Sequence, residues 1–272
     1  MKNITVICIG LITIAVMACE GESMKDSIGG QKTGDRANTA IHGLTMNQKV
    51  FFGHQSVGGN IIEGIKLLTT EIPILQVDLK KTDENVFEKS VFTHAGIGKN
   101  GDPLSKYEAF KKLLESGIGD RVDIAGMKLC YVDISGKTDV MDLFNNYKEM
   151  VKYIKNRYPK LELIHIATPL TVKSNPVKDL IKTIIGKENI WKEANRNRIR
   201  YNNLLRAEYK NIDPVFNLDI IEAFGADSVP GKTDNDNYSL DNRLASDWGH
   251  LNDLGKRTVA GEFIRFLEST GR

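Results

Sequence analysis

From Lys49 onward, short apolar runs alternate with stretches whose apolar residues recur every three or four positions. The runs Val50–Phe52, Ile74–Val77, Ile124–Val132, Leu161–Ala167 and Val215–Leu218 predict strands, being short, rich in β-branched and aromatic residues, and bounded by polar turns. The longer period predicts helices over Gly59–Leu68, Leu104–Glu115, Val140–Arg157, Glu188–Lys210 and Asp253–Glu268. In the last of these, Val259, Phe263, Phe266 and Leu267 share a face, and Asp253 is placed to cap the first turn. Strand and helix in alternation imply an α/β fold, with a parallel sheet of about five strands covered by helices on both faces. Ligands of such sheets bind beyond the carboxyl ends of the strands, so the residues just after each strand are where chemistry is expected. Two stretches exceed plain connectors. Thr171–Lys187 has room for an extra short helix, and Phe224–Ser246 is polar, with Asp, Asn and Gly clustered.

The first residues follow a different pattern. Lys2 precedes an apolar run, Ile4–Ala18, that is shorter than the roughly 20 residues of a membrane span and reads as a secretory signal. The run ends Val16-Met17-Ala18-Cys19, and small residues before a cysteine resemble the lipobox of bacterial lipoproteins. That resemblance implies cleavage of residues 1–18, acylation of Cys19 and a lipid anchor at the periplasmic or outer face of a bacterial envelope. Residues 19–44 are polar and aperiodic and are expected to be a tether, leaving 45–272 as the folded domain.

Composition narrows the classes of function. Lys and Arg number 37 against 35 Asp and Glu, so no basic excess favours nucleic acid. The cysteines are Cys8, Cys19 and Cys130, and only Cys130 lies in the folded part, which excludes a disulfide-stapled scaffold. The 5 histidines show no metal-ligand spacing, so neither a metal nor another cofactor is expected.

The candidate chemistry sits at the two ends of the domain. After the first strand comes Gly53-His54-Gln55-Ser56-Val57-Gly58-Gly59-Asn60, a glycine-bearing turn that opens directly into a helix. Such a turn exposes a serine, and the helix start aims N–H groups and a positive dipole at developing negative charge. A serine hydroxyl needs a base to become a nucleophile. The base is expected in Asp247-Trp248-Gly249-His250, where the D-x-x-H spacing lets Asp247 fold back onto His250 and leaves the far ring nitrogen for Ser56.

With its Ser56 turn and D-x-x-H block, the chain resembles the SGNH (GDSL-like) hydrolase superfamily over about residues 47 to 270. Its Gly-His-Gln-Ser turn is similar to the branch that includes sialate and other carbohydrate O-acetylesterases. The resemblance implies a flavodoxin-like three-layer α/β/α sandwich. It also implies Ser56 as nucleophile, His250 as base and Asp247 as orienting acid. From the family's middle blocks it implies an oxyanion glycine in Thr93–Gly101, Gly98 in the first place and Gly96 in reserve. The family's asparagine after the third strand is missing from Leu129-Cys130-Tyr131-Val132-Asp133, and Asn100 from the neighbouring loop is the expected substitute. The activity so implied is a serine esterase that removes an O-acyl group, acetyl foremost, from a carbohydrate or other surface ester. The alternative is a non-catalytic glycan-binding lipoprotein on the same fold, with the missing asparagine as its motive.

Other residues have plainer readings. His54 and His94 are expected to pack near the site, His165 to be a buried, hydrogen-bonded strand histidine, and Cys130 a small core residue. Asp133 stands between binding and capping. Arg196, Arg198, Arg200 and Arg206 are expected on a solvated helix face, and Trp248 either stacks on a sugar or packs.

Overall fold

The protein is described by a computed structural model over residues 47–77, 86–87, 89, 91–173, 190–226 and 237–270. The signal, the tether, residues 174–187 of the first long connector and residues 227–236 of the second lie outside the described residues. One parallel sheet has the order β2-β3-β1-β4-β5-β6. Its strands are β1 Lys49–His54, β2 Ile74–Gln76, β3 Val91–Gly96, β4 Ile124–Met127, β5 Glu162–Ile166 and β6 Val215–Phe216. The helices are α1 Val57–Leu68, α2 Pro103–Leu113, α3 Val140–Arg157, α4 Ile190–Tyr209, α5 Leu218–Phe224 and α6 Asp253–Thr270.

The sheet has six strands where five were expected. The extra one is β3, whose Thr93 and His94 break its apolar pattern; Thr93 is buried because its hydroxyl donates to Val50 O at 2.7 Å. The run Ile124–Val132 is not one strand. β4 stops at Met127, and Tyr131–Asp133 forms a single 3₁₀ turn, so Cys130 sits in the turn beyond the strand end.

Alternation along β1 shows why the chain folds this way. Phe51 faces a core layer shared with α2, α3 and α4, while Val50 and Phe52 face the layer shared with α1 and α6. Two helical layers thus enclose the sheet, the expected three-layer sandwich. The α1–α6 contact is close because Gly64 lacks a side chain: a Cβ there would stand 2.2 Å from Lys256 O. That approach matters for the site, since α1 begins just after Ser56 and α6 just after His250. The cap of α6 is Asn252 rather than Asp253, its Oδ1 accepting from Gly255 N at 2.9 Å.

The chain leaves β1 for β2 and β3 on one side and returns to place β4 on the other. The carboxyl end of β1 is therefore a topological switch point, flanked by the turns after β3 and β4.

Candidate active site

Three loops meet at that switch point. Ser56 joins β1 to α1 with φ 51°, the only positive φ at a non-glycine among the described residues. An L-residue reaches that region at a cost of about 1–3 kcal/mol. The turn is held on both sides, by Gly58 N donating to Gln55 O at 3.0 Å and Gly59 N donating to Ser56 O at 2.7 Å. The Ser56 side chain does not cap the helix. Its Oγ lies 2.6 Å from His250 Nε2 instead, across 194 positions of sequence.

The D-x-x-H segment closes as its spacing requires. Asp247 Oδ1 accepts from the Gly249 and His250 N–H groups at 2.8 Å each, and Oδ2 lies 2.7 Å from His250 Nδ1. A carboxylate only accepts, so Nδ1 carries the proton of the neutral ring and Nε2 presents a lone pair to the serine hydroxyl. Burial acts to raise the Asp247 carboxyl. The two backbone N–H groups and the His250 ring outweigh it and hold the carboxyl below its usual range. Asn60, in the first turn of α1, seats the segment by accepting from Leu251 N at 3.1 Å. Tyr131 packs edge-on against the His250 ring with centroids 5.6 Å apart, and against Trp248 at 5.9 Å.

The loop after β3 forms the other wall. Gln55 Nε2 ties it to the serine turn through Ile97 O at 3.4 Å and Gly98 O at 3.5 Å. Four of its N–H groups have acceptors: Ile97 on His54 O, Lys99 on Ser105 Oγ, Gly101 on Asp133 Oδ1 and Asp102 on Lys99 O. Those of Gly98 and Asn100 have none among the described residues. Gly98 has φ 52°, and a Cβ there would stand 2.6 Å from Lys106 N, so glycine alone lets the loop turn while seated on α2. Gly96, the reserve, is tied into β3 opposite His54.

The remaining candidates divide. His54 Nε2 and His94 Nδ1 lie 3.0 Å apart beneath the serine turn. Burial first, then His94 and Lys128, lowers the His54 pKa to about 3, so His54 stays neutral. His165 is buried between Tyr147 OH at 2.8 Å and Asp213 Oδ2 at 3.2 Å, as expected of a hydrogen-bonded core histidine. Asp133 does cap, its Oδ2 accepting from Cys130 N at 2.6 Å at the start of the 3₁₀ turn, and it is also buried in an ion pair with Lys106 at 2.5 Å.

The solvated-face reading of α4 fails for two arginines. Arg198 is 2% exposed and donates from Nε to Tyr131 O at 2.8 Å, and Arg206 pairs with buried Asp219 at 2.9 Å. A helix packed between the sheet and the loops beyond it buries arginines that find carbonyl and carboxylate partners. Sequence reasoning gave no role to Asn60 or Lys106 and read Arg198 as solvated. Only the asparagine left a local signal, as a polar side chain in the first turn behind the serine.

Neither a family model nor a curated protein matches the chain. Solved structures with a similar course include a lipase/acylhydrolase from Enterococcus faecalis, at 14% identity over 82% of this chain and 96% of that one with a TM-score of 0.48. An acetyl xylan esterase matches at 20% identity over 79% and 97%, TM-score 0.46. The catalytic domain of peptidoglycan O-acetyltransferase A from Streptococcus pneumoniae matches at 10% identity over 83% and 96%, TM-score 0.39.

Proposed function

We propose that this chain is a serine ester hydrolase of the SGNH type, removing an O-acyl group, acetyl foremost, from a carbohydrate or other surface ester. The observation that carries the reading is the line Ser56 Oγ, His250 Nε2, His250 Nδ1, Asp247 Oδ2, with contacts of 2.6 and 2.7 Å. His250 takes the hydroxyl proton as Ser56 attacks the ester carbonyl, and Asp247 stabilises the imidazolium so formed. The tetrahedral oxyanion draws on the Ser56 and Gly98 N–H groups, the positive end of α1 and the Asn100 side chain. His250 returns the proton to the leaving alkoxide. It then activates water to release the acyl group and restore Ser56. Trp248, 40% exposed beside His250, supports a sugar as the alcohol, since an exposed ring at the mouth of the site suits stacking on a pyranose face.

Fluorophosphonate labelling tests the nucleophile, and acetate release from an O-acetylated glycan tests the substrate. Wild type is expected to label and Ser56→Ala not to. Labelling that persists in Ser56→Ala moves the nucleophile elsewhere. A wild type that neither labels nor cleaves any ester favours the glycan-binding alternative.

We infer further, from Ala18-Cys19 and the run before it, that the mature protein is held to a bacterial envelope membrane by acylated Cys19. Fatty-acid incorporation is expected in wild type and lost in Cys19→Ala. Equal incorporation into both would discard the anchor.

A further inference from the structure

Superfamily resemblance calls for an asparagine amide after the third conserved strand, and the stretch after β4, Lys128–Asp133, holds none. Its last residue is bound into a buried cluster that reaches the opposite wall of the site. Asp133 Oδ2 takes Lys106 Nζ at 2.5 Å and Cys130 N at 2.6 Å, while Oδ1 takes Gly101 N at 2.8 Å. Lys106 Nζ makes a second bond, to Asn100 Oδ1 at 3.0 Å. Both side chains of the ion pair are 0% exposed.

The geometry points to Lys106 and Asp133 as positioning residues that hold the Asn100 amide with its N–H₂ turned out of the buried cluster, as the side-chain donor to the oxyanion. This rests on the esterase reading above. An ammonium group has three donors and no acceptor, so it can hold only the oxygen end of an amide. The Asn100 rotamer that offers nitrogen to the cluster would set N–H against N⁺–H and is excluded. Asn100 itself is exposed, and its Nδ2 has no acceptor among the described residues. Asp133 fixes the ammonium, and by taking Gly101 N it also fixes the backbone one residue past Asn100.

Removing either partner alone would strand a buried charge, which favours retention of the pair for geometry rather than for net stability. A turn that lacks the family's asparagine thus still serves the oxyanion. Its aspartate acts through a lysine on α2, and that lysine acts on an asparagine of the neighbouring loop.

The decisive variants are Asn100→Asp, which keeps an acceptor for Lys106 but loses the N–H₂, and the double Lys106→Gln/Asp133→Asn, which removes both charges together and frees the amide to flip. Hydrolysis of p-nitrophenyl acetate would be measured per active site, counted by fluorophosphonate titration of Ser56, with melting followed in parallel. Asn100→Asp is expected to lower kcat by about 10²- to 10³-fold with KM little changed, the loss typical of one oxyanion donor. The double variant is expected to lower kcat by at least about 10-fold with KM likewise little changed, because an amide free to turn spends much of its time with oxygen toward the oxyanion. Full kcat per titrated site in either variant overturns the inference while leaving the esterase reading intact. So does a double variant that only melts earlier. A wild type without ester cleavage or labelling takes both down.

Discussion

Asp247 and His250 meet across one short turn at the surface, with side chains 49% and 35% exposed. Lys106 and Asp133 meet across 27 positions of sequence, with side chains 0% exposed. On the proposed reading each serves one side of the same site. The first is made locally: the carboxylate that orients the ring also closes the turn that carries it, and water stays close to both. The second exists only because β3 and β4 flank β1, so that the turn after one strand lies against the helix following the other. On the proposed reading, function on the Asp247–His250 side can therefore be damaged without unfolding the protein, whereas on the Lys106–Asp133 side catalysis and stability would share the same atoms.

The largest expected effect lies on the local side and in activity alone. Ser56→Ala or His250→Ala should lower kcat/KM by about 10⁴-fold or more, and Ser56→Ala/His250→Ala no further, because nucleophile and base act as one unit. Asp247→Asn should cost about 10²- to 10⁴-fold, through orientation and lost charge. All of these should melt close to wild type. A Ser56→Ala protein that melts much earlier would tie this wall to the fold and erase the contrast.

The next effect reverses the order. Asp133→Ala leaves Lys106 buried and unpaired and should destabilise the fold by about 3–5 kcal/mol. Asp247→Ala removes a half-exposed pair and two turn hydrogen bonds and should cost about 1–2 kcal/mol. Urea titration of the two variants decides it, and equal losses would break the comparison.

The last expected effect is a difference in the sign of pH dependence. Glu222 is fully buried, its Oε2 accepting from Leu170 N at 2.7 Å. Burial raises its carboxyl to about 8, against the pull of the Leu170 N–H and with some help from Asp219. Its folded pKa lies above its unfolded one, so its contribution is whole below about 4.5 and is lost as pH rises toward 8. Asp247 is shifted the other way, so its contribution is present above its unfolded pKa and is lost as pH falls through the lower folded one. Melting curves from pH 3 to 9 should show Glu222→Gln flattening the decline between pH 5 and 8 and Asp247→Asn flattening the one at acid pH. A Glu222→Gln protein that keeps the full slope between pH 5 and 8 would place that titration elsewhere.

The sequence by itself determined whatever rests on near neighbours along the chain. Apolar alternation and helical spacing set α3 at Val140–Arg157, matching the structure residue for residue, and most other elements to within a few positions. The D-x-x-H spacing was enough to pair Asp247 with His250, because one turn of backbone carries the whole arrangement. A serine between a strand and a helix was enough to mark Ser56, though its unusual φ was not visible.

Tertiary structure decided what depends on distant neighbours. β3 is a strand because its backbone pairs with β1 and β2, where buried Thr93 also finds a carbonyl on β1, which no local pattern announces. Arg198 is buried and Arg206 largely covered because carbonyl and carboxylate partners wait in other elements, although an arginine on a helix reads as solvated. Cys130 left its strand for a turn because the chain bends beyond Met127 toward Asp133. Lys106 looked like one more polar residue of an amphipathic helix until the fold brought Asp133 and Asn100 to its ammonium. Burial is a property of the assembled layers, and with it comes the strength of a charge. That is why the Asp247–His250 side of the site could be read from the chain and the Lys106–Asp133–Asn100 side needed the fold.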